Sequence, residues 1–197
     1  MAALPNHLVM SVEEYLQLER SSTNTRYEHI DGHVRMLAGG SADHSTISWN
    51  MAGILRRLLH GSPCRVYNSD LKVQLSEKRF VLPDGFVTCD ERDRGRIDTV
   101  HFPRLIVEVL SPSTEAYDRG RKLSYYRACA TIQEYVLVDS LRPAIEVYRR
   151  AENDFWTYHA FESGDDVELA SLGIHFPLAD AYEYVTFPPD ESDVEPE

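Results

Sequence analysis

One carboxylate constrains this chain more than any other feature. Leu105-Ile106-Val107-Glu108-Val109-Leu110 has the unbroken apolar character of a strand buried on both faces, and Glu108 lies near its centre. An unpaired charge in such a strand would cost several kcal/mol. Glu108 must therefore be neutralised, paired or bound to a cation. A second carboxylate, Asp84, lies in another strand-like run, Val81-Leu82-Pro83-Asp84-Gly85-Phe86-Val87. Two carboxylates from adjacent strands are a common way to hold a hard divalent cation such as Mg²⁺ or Mn²⁺.

The composition is that of an ordinary soluble globular chain. Of 197 residues, 43% are apolar and 26% charged, enough to build a real core in one domain over residues 1–187. Residues 188–197 hold five acids and no base, and their Pro-rich, acidic composition predicts a disordered tail. The net charge is −12, of which −7 remains on residues 1–187. Such a balance works against non-specific nucleic-acid binding. No apolar run approaches the length that spans a bilayer, and Met1 to Met10 shows no secretory pattern. Cys64, Cys89 and Cys129 lack metal-ligand spacing, which predicts free thiols in a reducing cytoplasm.

Local patterns suggest the order of elements. Ser11-Val12-Glu13-Glu14 is a capping box that opens a short helix. Asp31-Gly32 makes a two-residue turn within a hairpin at residues 27–34. Ile47, Met51, Ile54, Leu55, Leu58 and Leu59 recur at helical spacing within Asp43 to His60, and Gly61 stops that helix. Strands are predicted at Arg65 to Leu75, Phe80 to Cys89 and Leu105 to Leu110, with a charged surface loop over Asp90 to Asp98. Ser111-Pro112 breaks the central strand and leads into a helix over Tyr117 to Ala128. Strands at Glu134 to Asp139, Ile145 to Arg150 and Phe155 to Phe161 follow, then a short helix near Leu178 to Tyr184. This order predicts an α/β (α+β) domain with one central mixed sheet flanked by helices.

If the strands of Asp84 and Glu108 pair, the charged loop between them closes a long hairpin and both acids reach one point. A cation there could polarise a phosphate and lower the pKa of bound water. Lys122, in the helix after the central strand, is the candidate to stabilise charge or position water. Glu28, from the first hairpin, could add a fourth ligand. Asp70 and His44 are weaker candidates, Asp70 because Lys72 offers it a surface partner. An arginine such as Arg121 or Arg127 is the rival partner for Glu108. The chain has no His-x-x-x-His helix pair, phosphate-binding Gly-x-x-x-x-Gly-Lys-Ser loop or Gly-x-Ser-x-Gly elbow. Tyr125-Tyr126 reads as core rather than as a base-stacking platform.

Several segments resemble the restriction endonucleases of the Uma-two family, within the PD-(D/E)xK nuclease superfamily. They are Leu82-Pro83-Asp84, Leu105 to Thr114, Tyr117-Asp118, Lys122, Tyr126-Arg127, Glu134 to Asp139, Ile145 to Arg149 and Tyr27 to Gly32. The resemblance covers roughly residues 10 to 185. It implies a restriction-endonuclease-like fold and metal-dependent phosphodiester cleavage, and the function expected from it is an Mg²⁺- or Mn²⁺-dependent endonuclease acting on DNA. Asp84 matches the motif aspartate and Glu108 the second acid. The superfamily pattern puts lysine two residues after that acid, where this chain has Leu110, so the resemblance implies that Lys122 supplies it from the helix. A homodimer is expected, since cutting two antiparallel strands suits two-fold symmetry. Two other functions stay open: a non-catalytic interaction protein on the same fold, motivated by Leu110 and the acidic surface, and a hydrolase of small phosphodiesters.

Overall fold

The protein is described by a computed structural model covering residues 8–37, 39–96 and 98–187. The acidic segment 188–197, predicted above to be disordered, lies outside the described residues. The chain opens with β1 (Leu8–Val9) and α1 (Val12–Ser21). The capping box is formed: Glu14 N donates to Ser11 Oγ at 3.2 Å, and Ser11 N donates to Glu14 Oε2 at 2.7 Å. The next two strands, β2 (Tyr27–Ile30) and β3 (His33–Met36), make the predicted hairpin. Its turn residues Asp31 and Gly32 have φ of 50° and 91°, left-handed geometry that suits the Asp-Gly pair. The 17-residue α2 (Ala42–Leu58) buries Ile47, Met51, Ile54 and Leu55 along one stripe.

Six strands follow: β4 (Arg65–Asn68), β5 (Lys72–Ser76), β6 (Arg79–Val81), β7 (Gly85–Thr88), β8 (Thr99–Val100) and β9 (Leu105–Leu110). A continuous helical stretch then runs through α3 (Glu115–Tyr117), a π-helical turn over Asp118–Lys122, and α4 (Leu123–Ala128). The chain finishes with β10 (Glu134–Asp139), β11 (Ile145–Arg150), β12 (Trp156–Phe161), β13 (Asp166–Leu169), β14 (Ile174–Pro177) and α5 (Leu178–Ala181).

The strands divide between two six-stranded sheets, ordered β1-β3-β2-β6-β5-β8 and β12-β11-β10-β9-β7-β4, with β13 and β14 as a separate pair. The α+β class with mixed sheets is as predicted, but the strands read as one sheet form two. Each of the long strands predicted at residues 65–75 and 80–89 breaks in the middle and passes the chain from one sheet to the other. The first breaks at a turn in Ser69-Asp70, the second at Leu82-Pro83-Asp84. Pro83 has no N–H for a ladder. The N–H of Leu82 goes instead to Glu28 Oε1, at 3.1 Å. This crossing ties β2 of the first sheet to β7 of the second.

The central strand β9 pairs parallel with β10 and antiparallel with β7. Its odd residues, Leu105, Val107 and Val109, pack with the buried stripe of α2. Ile106 and Leu110 pack on the other face with Phe86, Tyr126 and Tyr135, and with Val73 and Val81 of the first sheet. Glu108 shares that second face by the two-residue strand period.

Two sequence expectations need correction. Cys64 and Cys89 form a disulfide, and only Cys129 is a free thiol. The cause is register: Arg65 pairs with Thr88, so the next positions outward are Cys64 and Cys89. The segment Asp90 to Asp98 is not all surface loop. Asp93 is buried and accepts hydrogen bonds from Thr88 Oγ1, His101 N and Phe102 N, at 2.8, 2.9 and 3.1 Å.

A second buried acid ties the far half of the domain together. Glu134, wholly buried at the start of β10, accepts from Arg149 Nε at 2.8 Å, Ala170 N at 3.1 Å and Ser171 N at 3.0 Å. Removing it would leave Arg149 with only the exposed Glu168 carboxylate, at 3.1 Å, and would strand two backbone donors. Glu134→Ala should therefore lose about 3–5 kcal/mol in urea unfolding. A loss under about 1 kcal/mol, the scale of a surface ion pair, would contradict this assignment.

Candidate active site

The β7–β9 register places the two predicted acids together. Gly85 pairs with Val107 and Phe86 with Ile106, so one further step sets Asp84 opposite Glu108. Asp84 is fixed by Val109 N, which donates to its Oδ2 at 2.8 Å. The two acids therefore share one end of one strand pair, and both line a cleft of about 1550 Å³.

Lys122 completes the centre from the helix. Its Nζ lies 2.8 Å from Glu108 Oε1, 3.3 Å from Glu28 Oε1 and 3.5 Å from Asp118 Oδ1. Only the contact with Glu108 is a hydrogen bond; the other two are longer charge contacts. The π-helical turn spans Asp118 to Lys122 and brings both side chains to this buried point. Such turns recur at functional sites. Glu28 arrives from β2, held by Leu82 N at the crossing between sheets. Among the described residues, neither Arg121 nor Arg127 pairs with Glu108, so the arginine alternative does not hold.

Sequence reasoning missed one contributor and ranked another low. Tyr126, read as core, is fully buried, yet its hydroxyl donates to Glu108 Oε1 at 2.6 Å. No pattern distinguishes it from an ordinary core tyrosine. His44, rated a weak candidate, places Nε2 3.3 Å from Asp84 Oδ2. Its position follows from the α2 cap, where His44 N donates to Ser41 Oγ at 3.1 Å. Gly40 leaves room for the ring: a Cβ there would sit 2.7 Å from His44 Nδ1. Asp70 is not part of the cluster. Its side chain is largely exposed, 4.0 Å from Arg26, and Lys72 pairs instead with buried Glu19 at 2.9 Å.

Burial pushes the Glu108 carboxyl up to about 8; Lys122 opposes the shift, and the charges of Asp118, Asp84 and Glu28 reinforce it. Burial also works to depress Lys122, but Glu108, Glu28 and Asp118 outweigh it and hold the ammonium well above its ordinary range. The hydrogen bond to Asp84 raises His44, against the effect of burial. Burial raises Asp118, with Lys122 opposing.

The donor set can be tested against a divalent cation. Among the described residues, no three acidic, histidine or cysteine side chains close into a ready cage. Asp84 Oδ2 is engaged by Val109 N and His44, and Glu108 Oε1 by Lys122 and Tyr126. Among the described residues, Asp84 Oδ1 and Glu108 Oε2 accept no hydrogen bond from the protein. Two carboxylate oxygens beside an open cleft suit Mg²⁺, which keeps several waters and uses one or two carboxylates plus substrate phosphate. The residues fit such an ion.

The mixed sheets with their flanking helices form a restriction-endonuclease-like fold. It is similar to the crystal structure of a putative nuclease belonging to DUF820 from Anabaena variabilis ATCC 29413. The TM-score is 0.72 at 18% identity, over 88% of this chain and 98% of that one. Residues 12–179 match the Uma2 family model, described as "Putative restriction endonuclease", and the chain belongs to that family. Two uncharacterized proteins of Synechocystis sp. (strain ATCC 27184 / PCC 6803 / Kazusa) are similar along most of their length. One is 38% identical over 90% of this chain and 94% of its own. The other is 30% identical over 75% of this chain and 85% of its own. No helix among the described residues is long and apolar enough to cross a membrane.

The Glu108 shift has a measurable consequence for stability. A carboxyl raised from 4.5 to about 8 binds its proton more tightly in the folded state than in the unfolded state. Its contribution is fully present below pH 4.5 and is lost as pH rises through about 8. In metal-free buffer, thermal unfolding of the wild type should fall between pH 5 and 8.5 relative to Glu108→Gln. Parallel pH profiles would show that Glu108 has an ordinary carboxyl.

Proposed function

We propose that the protein is a metal-dependent endonuclease that hydrolyses phosphodiester bonds of DNA. The observation that carries this reading is the position of Asp84, one residue before β7, beside Glu108 of β9, with both acids lining the cleft and Lys122 on Glu108. Asp84 and Glu108 would hold Mg²⁺ or Mn²⁺, with Glu28 assisting through its second oxygen. When bound, the ion supplies Lewis acidity and lowers the pKa of a coordinated water.

The protein's own groups account for the rest. Val109 N and His44 fix the orientation of Asp84. Tyr126 and Lys122 fix Glu108. The Lys122 ammonium is in place to stabilise negative charge developing on a phosphate oxygen without reorganising during the reaction. Arg35 and Arg121 also line the cleft and offer partners for flanking phosphates. Because the chain is acidic overall, affinity for DNA would depend on these local cations and on the divalent ion. A two-fold homodimer would present two such centres to the two strands of a duplex.

The test is plasmid cleavage in Mg²⁺ or Mn²⁺ by the purified chain. Asp84→Ala and Glu108→Ala should abolish cleavage, and Lys122→Met should slow it about 10²–10³-fold. Wild-type rates in both acid variants would sink the assignment. Hydrolysis of a phosphodiester dye with no cleavage of any DNA would redirect the reading to a small substrate. No divalent-metal binding at all would favour a non-catalytic interaction protein on this fold. Sedimentation velocity checks the dimer, and a monomer at working concentration would contradict it.

A further inference from the structure

The reading above leaves one buried acid without a task. Asp118 is almost fully buried, and its Oδ1 has no hydrogen-bond partner among the described residues. The same is true of Oε2 of Glu28, also buried. Both residues line the cleft beside Glu108. Three carboxylates, those of Glu28, Glu108 and Asp118, therefore crowd a single ammonium, Lys122, and a fourth, Asp84 with His44 on it, lines the same cleft. A buried carboxylate oxygen without a donor is costly, and an excess of buried negative charge more so.

The backbone shows that this placement is imposed. Asp118 opens the π-helical turn, and Tyr135 Oη donates to its carbonyl at 3.2 Å. The widened turn puts Asp118 Oδ1 3.5 Å from Lys122 Nζ, outside hydrogen-bond geometry, so the lysine does not satisfy it. An oxygen-seeking divalent cation is the ligand chemistry that matches these unpaired oxygens.

We propose that Asp118, through Oδ1, is a further acid of the divalent-cation centre, beside the Lys122 ammonium. The inference rests on the proposed metal-dependent reading of Asp84 and Glu108. It assigns to the ion a residue outside the acid-acid-lysine pattern. The rival account is a simple one: Asp118 is protonated and structural. In that case its carboxylate contributes nothing to ion affinity.

Calorimetric titration of the full-length chain with Mn²⁺ at pH 8 separates these accounts without recourse to activity. Asp118→Asn keeps the shape and removes the charge. It should weaken Mn²⁺ binding tenfold or more and reduce the Mn²⁺-induced rise in melting temperature, while metal-free melting is unchanged or higher. Asp84→Asn should also weaken binding. Wild-type affinity in Asp118→Asn alongside a loss in Asp84→Asn would overturn this inference and leave the metal centre standing. Wild-type affinity in both variants, or no Mn²⁺ binding by the wild type, would overturn the underlying reading as well. Should Asp118→Asn not fold, Asp118→Ser is titrated in the same way with the same outcomes.

Discussion

The contact between Lys122 Nζ and Glu108 Oε1, 2.8 Å long and between two buried side chains, is the constraint around which the rest is arranged. A carboxylate in the centre of β9 is tolerable only if something charged meets it there. That requirement explains the π-helical turn, which delivers Lys122, and the burial of Tyr126, whose hydroxyl takes a second position on the same oxygen. Removing one partner of such a pair is far more damaging than replacing both. A single lysine does not balance the acids assembled near it, and this residual negative charge gives the centre its affinity for a cation in the proposed function.

Geometry at the sheet crossing does the rest. Where the chain leaves the first sheet at Val81 and enters the second at Gly85, it passes Leu82, Pro83 and Asp84. Leu82 N reaches back to Glu28 on the first sheet, and Asp84 reaches forward to Val109 N on the second. The same three residues thus join the sheets and position two acids. A substitution at Pro83 or Gly85 would act on the site through this crossing, with no direct contact to a substrate.

Much of this was legible in the sequence, for identifiable reasons. The hairpin at Asp31-Gly32, the capped helix after Ser11 and the strands β9, β10 and β11 follow from turn chemistry, capping and uninterrupted apolar runs. Glu108 stood out because a charge in an apolar strand demands an explanation, and Asp84 and Lys122 because the neighbouring run and the following helix, with the family resemblance, offered it partners. What stayed hidden depended on tertiary contact. The two sheets could not be told from one, because a strand broken by Pro83 reads like a strand with a proline in it. Tyr126 and Asp118 fall in segments that resemble the family, but nothing in those segments tells which oxygen each side chain faces. The Cys64–Cys89 disulfide depended on the pairing of β4 with β7, which spacing alone does not reveal.

The central claim is that Asp84 and Glu108 share one divalent ion. The most direct measurement is a crystal structure of the chain soaked in Mn²⁺, with data collected to reveal the metal's anomalous signal. The account predicts a peak bonded to Asp84 Oδ1 and Glu108 Oε2 at about 2.0–2.6 Å, the range of metal–oxygen bonds for hard divalent cations. An Mn²⁺-soaked crystal with no peak between these two carboxylates, and Lys122 still on Glu108, would contradict it.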